Sequence, residues 1–169
     1  GNGRLASHVT DAGGGSLRWR EHAVTRCVPD GTLDNTGLWI YVRDQASDAT
    51  WSVGRQPTGG EGAEVDVVFH AHMVELHRRQ YGIAIRADIS IGAADDIEVR
   101  RITVVNETDR PRSLSFTSYG EVVLAPPRED LRHLAFSKLF VEGKHVPALD
   151  ALVFTRRSRD PDEPFPVLM

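Results

Sequence analysis

The chain has 169 residues, the length of one domain, and folding at that size buries roughly two thirds of the unfolded surface. With 40% hydrophobic and 26% charged residues it is neither disordered nor fibrous, and a net charge of -4 with 20 dispersed Lys and Arg excludes a phosphate-tracking surface, so nucleic acid is not an expected partner. Apolar runs such as residues 122–124 and 148–154 fall far short of the roughly 20 residues of a membrane helix, so no direct membrane insertion is expected.

The opening Gly1-Asn2-Gly3-Arg4 lacks the charged-then-apolar layout of a signal peptide, and the single Cys27 cannot close an internal disulfide. A cytoplasmic setting is expected for the domain. The tract Ala12-Gly13-Gly14-Gly15-Ser16 has neither the Lys-Ser/Thr ending nor the following helix of a phosphate loop. It reads as a glycine turn between strands, or as a place where backbone approaches a ligand. Next comes Ser16-Leu17-Arg18-Trp19-Arg20, where an indole flanked by guanidinium donors suits stacking on a sugar ring, or else fills the core with the arginines outward.

Residues 37–44 carry Trp39, Ile40, Tyr41 and Val42, which favour a strand, and residues 50–53 supply a shorter one after a turn at 45–48. The loop Arg55-Gln56-Pro57-Thr58-Gly59-Gly60 is polar and is either a second ligand loop or a solvated turn. Val65, Val67 and Phe69 alternate with Glu64, Asp66 and Val68, and after a reversal near Ala71 the inward face resumes at Val74 and Leu76, which predicts a hairpin. His70 and His72 share one face of that strand, while the reversal is expected to point His77 elsewhere, so solvated histidines and no metal are expected. Ile83, Ile85, Ala87, Ile89 and Ile91 alternate with Ala84, Arg86, Asp88 and Ser90 as a half-buried strand.

Asp95 and Asp96 are adjacent acids; they would face opposite sides of a strand and read as turn residues before a catalytic pair. Strands over residues 97–105 and 113–124 flank the polar turn 106–111, and antiparallel pairing across it is expected. A single helical turn over 127–133 begins at a proline. Residues 156–169, prolyl and charged, read as a linker leading out of a domain over 1–155. Many strands with tight turns and no long helix predict an all-β fold, an antiparallel two-sheet sandwich.

Taken together, Asn2-Gly3-Arg4, the run from Val9 to Ser16, Arg18-Trp19-Arg20 and Ala23-Val24-Thr25-Arg26 resemble the opening of the supersandwich domain of cyclic β-1,2-glucan synthases. Tyr41-Val42-Arg43-Asp44, Trp51-Ser52, Gln56-Pro57-Thr58-Gly59 and Glu98-Val99-Arg100-Arg101 continue the pattern, as do the blocks at 117–126 and 135–142. The resemblance covers nearly the whole chain. It implies kinship with the cellobiose and chitobiose phosphorylase type of enzyme, glycoside hydrolase family 94, formerly glycosyltransferase family 36, and a galactose-mutarotase-like supersandwich.

In such enzymes a helical (α/α) barrel after the sandwich holds the catalytic acids, so the implied domain is non-catalytic. It packs on the barrel, shapes a glucan cleft with its loops and supports a homodimer. The implied partners are a β-glucan or oligosaccharide and the barrel of the same parent chain, with no cofactor, and attachment to the bacterial inner membrane is implied for the parent and not for the domain. The candidate carbohydrate contacts are Ser16, Arg18, Trp19, Arg26, Asp30, Arg55 and Gln56. Two departures stand out: Cys27-Val28-Pro29-Asp30 replaces a Trp-Arg-Glu-Asp-like run after Arg26, and Leu134 follows His133 where the family has proline.

Overall fold

The structure is a computed structural model and describes residues 1–28, 30, 32–158 and 165–169. Among the described residues, thirteen strands, two short α-helices and one 3-10 turn (Pro147–Leu149) make an all-β fold. In chain order the strands are β1 (Leu5–Val9), β2 (Gly15–Trp19), β3 (His22–Thr25), β4 (Trp39–Asp44), β5 (Thr50–Ser52), β6 (Glu64–Phe69), β7 (Met73–Gln80), β8 (Ile83–Ile91), β9 (Glu98–Asn106), β10 (Leu114–Tyr119) and β11 (Val122–Ala125). Helices α1 (Pro127–Arg132) and α2 (Leu134–Lys138) then precede the hairpin of β12 (Val141–Val146) and β13 (Ala151–Arg156).

The strands pair antiparallel in four sheets, ordered β1-β2-β3-β11, β10-β4-β5, β6-β7-β8-β9 and β12-β13. Two of these make the sandwich that the alternation predicts. Val42, Trp51 and Val53 from the β4-β5 side pack on Leu76, Ile83, Ile85, Ala87 and Ile89 from β7 and β8. Each such fully buried aliphatic side chain contributes about 1.5–3 kcal/mol. A second core gathers Leu5, Leu17, Val24 and Leu124 in the first sheet, with Ile91 of β8 and Leu168 packed against it. Strand β8 therefore serves both cores.

Strand β8 and the β6-β7 hairpin match the sequence reading, except that Phe69 is exposed, because it ends an edge strand beside the hairpin tip. The expected pairing across residues 106–111 does not form: β9 pairs with β8 and β10 with β4, so the turn carries the chain from one sheet to another. Nor is 113–124 one strand. Gly120 and Glu121 separate β10 from β11, which joins β3 in the first sheet. A Cβ at Gly120 would lie 2.3 Å from the end of the Leu38 side chain, which would have to move to admit it. Helix α1 begins with Pro127, as predicted, whereas α2, β12 and β13 carry no strong period in the sequence. Residues 165–169 lie back on the fold, Leu168 exchanging two backbone hydrogen bonds with Phe154. The rest of the tail expected to be a linker, 159–164, lies outside the described residues.

One ion pair clamps the two faces of the sandwich. Asp44, at the end of β4, accepts from Arg112 Nε at 3.0 Å and from its Nη2, while Arg112 Nη1 donates 2.9 Å to the Tyr81 carbonyl in the β7-β8 turn. Both side chains are buried. Hydrogen bonding from the Ala46 amide and then from Arg112 lowers the Asp44 carboxyl from 3.8 to about 2. A carboxyl lowered on folding stabilises above its unfolded value and loses that contribution as pH falls through the folded one. In acid titrations of stability, the gap between the wild type and Asp44→Asn should therefore be widest above pH 3.8 and close as pH falls to about 2.

Candidate functional site

The loops between the first sheet and the sandwich interlock through main chain. Ala12 to Gly15 are buried, and the Gln56 amide donates 3.1 Å to the Ala12 carbonyl. A Cβ on Gly13 would lie 2.6 Å from Gly54 Cα, one on Gly54 would lie 2.5 Å from the Ala12 carbonyl oxygen, and one on Gly14 would strike Trp39 at 2.5 Å. Gly13 and Gly37 also adopt φ of 90° and 126°, which L side chains avoid. Of the readings open for this tract, the structure takes the turn between strands and uses its bareness for backbone-to-backbone contact.

Arg78, buried on β7, holds the second loop in place. Its guanidinium donates to the Gly54 carbonyl, 2.8 Å to the Gly59 carbonyl, and 3.0 and 2.6 Å to Gln80 Oε1. Among the described residues it has no carboxylate partner, and burial lowers its pKa. Ser52 Oγ and Thr58 brace the same turn. The scaffold leaves the Arg55 side chain exposed and Gln56 half-buried, next to the glycine tract.

From Gly15 the surface continues to Gly37, whose neighbour Leu38 donates 3.0 Å to the Gly15 carbonyl. Beyond it a small cleft of about 130 Å³ is lined by Arg26, Asn35, Thr36, Trp39, Tyr119 and Glu121. Arg26 forms a two-pronged pair with Asp130 of α1, at 2.7 and 2.6 Å, and its Nη1 donates to Glu121, which also meets Lys138 at 3.1 Å. Burial pushes Asp130 up, but hydrogen bonds from Arg26 and Ser137 outweigh it and leave the carboxyl below its ordinary value. Arg26 thus ties α1 to β3 and contributes one wall of the cleft.

The other expected contacts are dispersed. Ser16 is half-buried on β2, opposite His8. Arg18 is exposed and donates 2.6 Å to the Arg20 carbonyl. Trp19 is half-buried: its Nε1 donates 2.7 Å to Asp96, Arg20 lies 4.6 Å over the ring, and the indole packs beside the second core. Trp19, followed by Arg4 and Asn2, lowers the Asp96 carboxyl. Asp30 accepts from the amides of Thr32 and Leu33 at 2.8 and 3.2 Å, which organises its own turn. Arg55 and Gln56 therefore lie together on the loop beside the glycine tract, whereas Trp19, Arg26 and Asp30 are engaged within the fold. Glu121, Asp130 and Arg78 were not among the residues singled out. Their partners are 95, 104 and 24 positions away in sequence, beyond the reach of local patterning.

The histidines also correct an expectation. His70 and His77 meet on one carboxylate, Glu75, at 3.1 and 3.0 Å, because the register Asp66↔His77 puts both on the outer face of the sheet. His72 lies beside His70, with ring centroids 6.1 Å apart. Among the described residues no group of three or more His, Cys, Asp or Glu side chains is arranged to hold a metal ion.

The chain is thus an all-β domain of antiparallel sheets packed as a sandwich. More particularly, the glycosyl hydrolase 94 supersandwich domain model matches residues 1–169, and the chain belongs to that family. It is 29% identical over 163 residues to the cyclic beta-(1,2)-glucan synthase NdvB of Rhizobium meliloti, covering 96% of this chain and 6% of that protein. An N,N'-diacetylchitobiose phosphorylase of Vibrio proteolyticus is 28% identical over 100 residues, covering 58% of this chain and 12% of that enzyme. A solabiose phosphorylase of Paenibacillus borealis is 26% identical over 128 residues, covering 73% of this chain and 17% of that enzyme. The chain thus spans less than a fifth of the length of each.

Two substitutions probe this scaffold. Gly13→Ala should lower stability by at least about 2 kcal/mol in thermal or urea unfolding, because it combines a positive φ with a main-chain clash. Asp130→Asn leaves the Arg26 charge buried beside Glu121 alone and should cost about 3 kcal/mol in urea unfolding at neutral pH.

Proposed function

We propose that the chain is a non-catalytic, carbohydrate-associated domain of a β-1,2-glucan synthase or glycoside phosphorylase. It packs beside a catalytic (α/α) barrel of the same polypeptide and shapes the barrel's glucan cleft with the loop face around Gly13, Gly37, Arg55 and Gln56. The observation that carries the non-catalytic part is electrostatic. Glycoside chemistry needs a carboxylic acid whose pKa is raised so that it can protonate a leaving oxygen. Here Asp44, Glu75, Asp88, Asp96 and Asp130 are all lowered, each by hydrogen bonds from neighbouring groups, and so are held ionised. The loop face is supported as the sugar-facing element by its rigid main-chain scaffold and its outward Arg55 and half-buried Gln56, donors suited to hydroxyl groups.

A second reading, a purely structural docking or dimerisation module, is favoured by a different observation. Trp19, Arg26 and Asp30 are engaged inside the fold, while Leu131, Leu134 and Leu139 of the helical region are exposed.

NMR titration with β-1,2-glucan oligomers, with cello-oligosaccharides as control, separates the two. Saturable shifts at residues 13–16 and 55–56, weakened at least about tenfold in affinity by a paired Arg55→Ala and Gln56→Ala change, support the sugar-facing role. Absence of shifts with either sugar leaves the docking module.

A further inference from the structure

Beside the β6-β7 turn, the first sheet and the β6-β7-β8-β9 sheet border a cleft of about 570 Å³. Its floor is apolar, made by Val9 of β1, Val74 of β7, and Ile89 and Ile91 of β8. The turn stands over that floor. The His70 amide donates 2.9 Å to the Met73 carbonyl, which closes the turn and sets Phe69, His70 and His72 along the rim. Strand β1, at the edge of its sheet, supplies the opposite wall with Ser7 and His8. Clefts of roughly 300–1,000 Å³ are the size that small-molecule ligands fill. This one shares no residue with the glycine tract or with Arg55 and Gln56.

Two side chains on its walls are left without a use inside the fold. Alternation along β1 puts Leu5, Ser7 and Val9 on one face, so the Ser7 side chain points inward between two apolar neighbours. Among the described residues its Oγ is buried with no hydrogen-bond partner, a cost that a bound group would relieve. Phe69 shares the inner face of β6 with Val65 and Val67, yet it is 56% exposed at the cleft.

The polar groups fix the chemistry of the ligand. Among the described residues the lining contains no Lys, Arg, Asp or Glu, so it offers no fixed charge to a phosphate, a carboxylate or an ammonium group. A serine hydroxyl both donates and accepts, and so does an imidazole in its neutral form. Such groups beside an exposed aromatic ring and an apolar floor match a neutral, polyhydroxylated ring with one apolar face. We propose that the cleft is a second saccharide site, in which a neutral sugar ring lies against Phe69 and its hydroxyls bond Ser7, His8 and His72. A sugar held this way ties β1 to the β6-β7 turn. This rests on the proposed function only for the choice of glucan as the probe.

NMR titration with β-1,2-glucan oligomers and, separately, with cello-oligosaccharides tests it. Amides of 7–8 and 69–72 should shift saturably with at least one of the two, and Phe69→Ala should weaken that binding at least about tenfold. Phe69 is exposed, so the fold should persist, with the amide signals of β4 and β5 unchanged. Should they move, His72→Ala at the exposed turn takes its place, with a loss of at least about threefold expected. No saturable shift at 7–8 and 69–72 with either sugar overturns the proposal, as do smaller losses in both variants. It is also overturned if those amides respond to zinc ion or inorganic phosphate in place of sugar, or if their shifts rise with protein concentration together with a dimer mass. The loop face reports separately at 13–16 and 55–56, so either idea can fail alone.

Discussion

The contact of bare main chain on bare main chain between Gly13 and Gly54 is the constraint on which the arrangement rests. It joins the first sheet to the sandwich without a side chain between them. At that separation no L residue fits at either position, and the glycines spend conformational entropy to permit it. The Gln56 amide then reaches Ala12, and Gly37 closes on Gly15 from the other side. Main-chain contacts thus position the glycine tract, and the buried Arg78 side chain adds its hydrogen bonds to hold the second loop.

Charge in this domain serves mainly as internal clamping. Arg112 with Asp44, Arg26 with Asp130 and Glu121, and Arg4 with Asp96 each join elements far apart in sequence. The outer face of the β6-to-β9 sheet carries a ladder in which Arg86 bridges Glu75 and Asp88, and Asp88 also holds Arg101. Planar guanidinium groups suit this use, since they pair with carboxylates through two parallel hydrogen bonds and stay charged when buried. Carboxylates held ionised by such pairs are poorly suited to donate a proton, and the pairs stiffen the elements that they join.

Strands whose signal is local were legible in the sequence. The alternation from Ile83 to Ile91, the hairpin around Ala71 and the proline start at 127 all came through, because side-chain period and turn chemistry act over a few residues. Whether 106–111 would close a hairpin or carry the chain between sheets was not legible. Both outcomes need the same polar turn, and the choice depends on which strand offers the better packed face. The candidate site divides the same way. Arg55 and Gln56 could be picked out as a polar loop, but Arg26 and Trp19 looked equally available and turned out to be bound to Asp130 and Asp96, more than 70 positions away.

By itself, then, the sequence determined the class of fold, the strands of regular period, the absence of a long apolar helix, and a family resemblance carried by short motifs such as Thr117-Ser118-Tyr119-Gly120-Glu121. Only the tertiary structure decided which strands share a sheet, which arginines are clamps and which stand outward, and why three adjacent glycines are needed. These depend on groups brought together across the whole chain, and hydrogen-bond geometry, desolvation and steric contact act through space without regard to sequence separation.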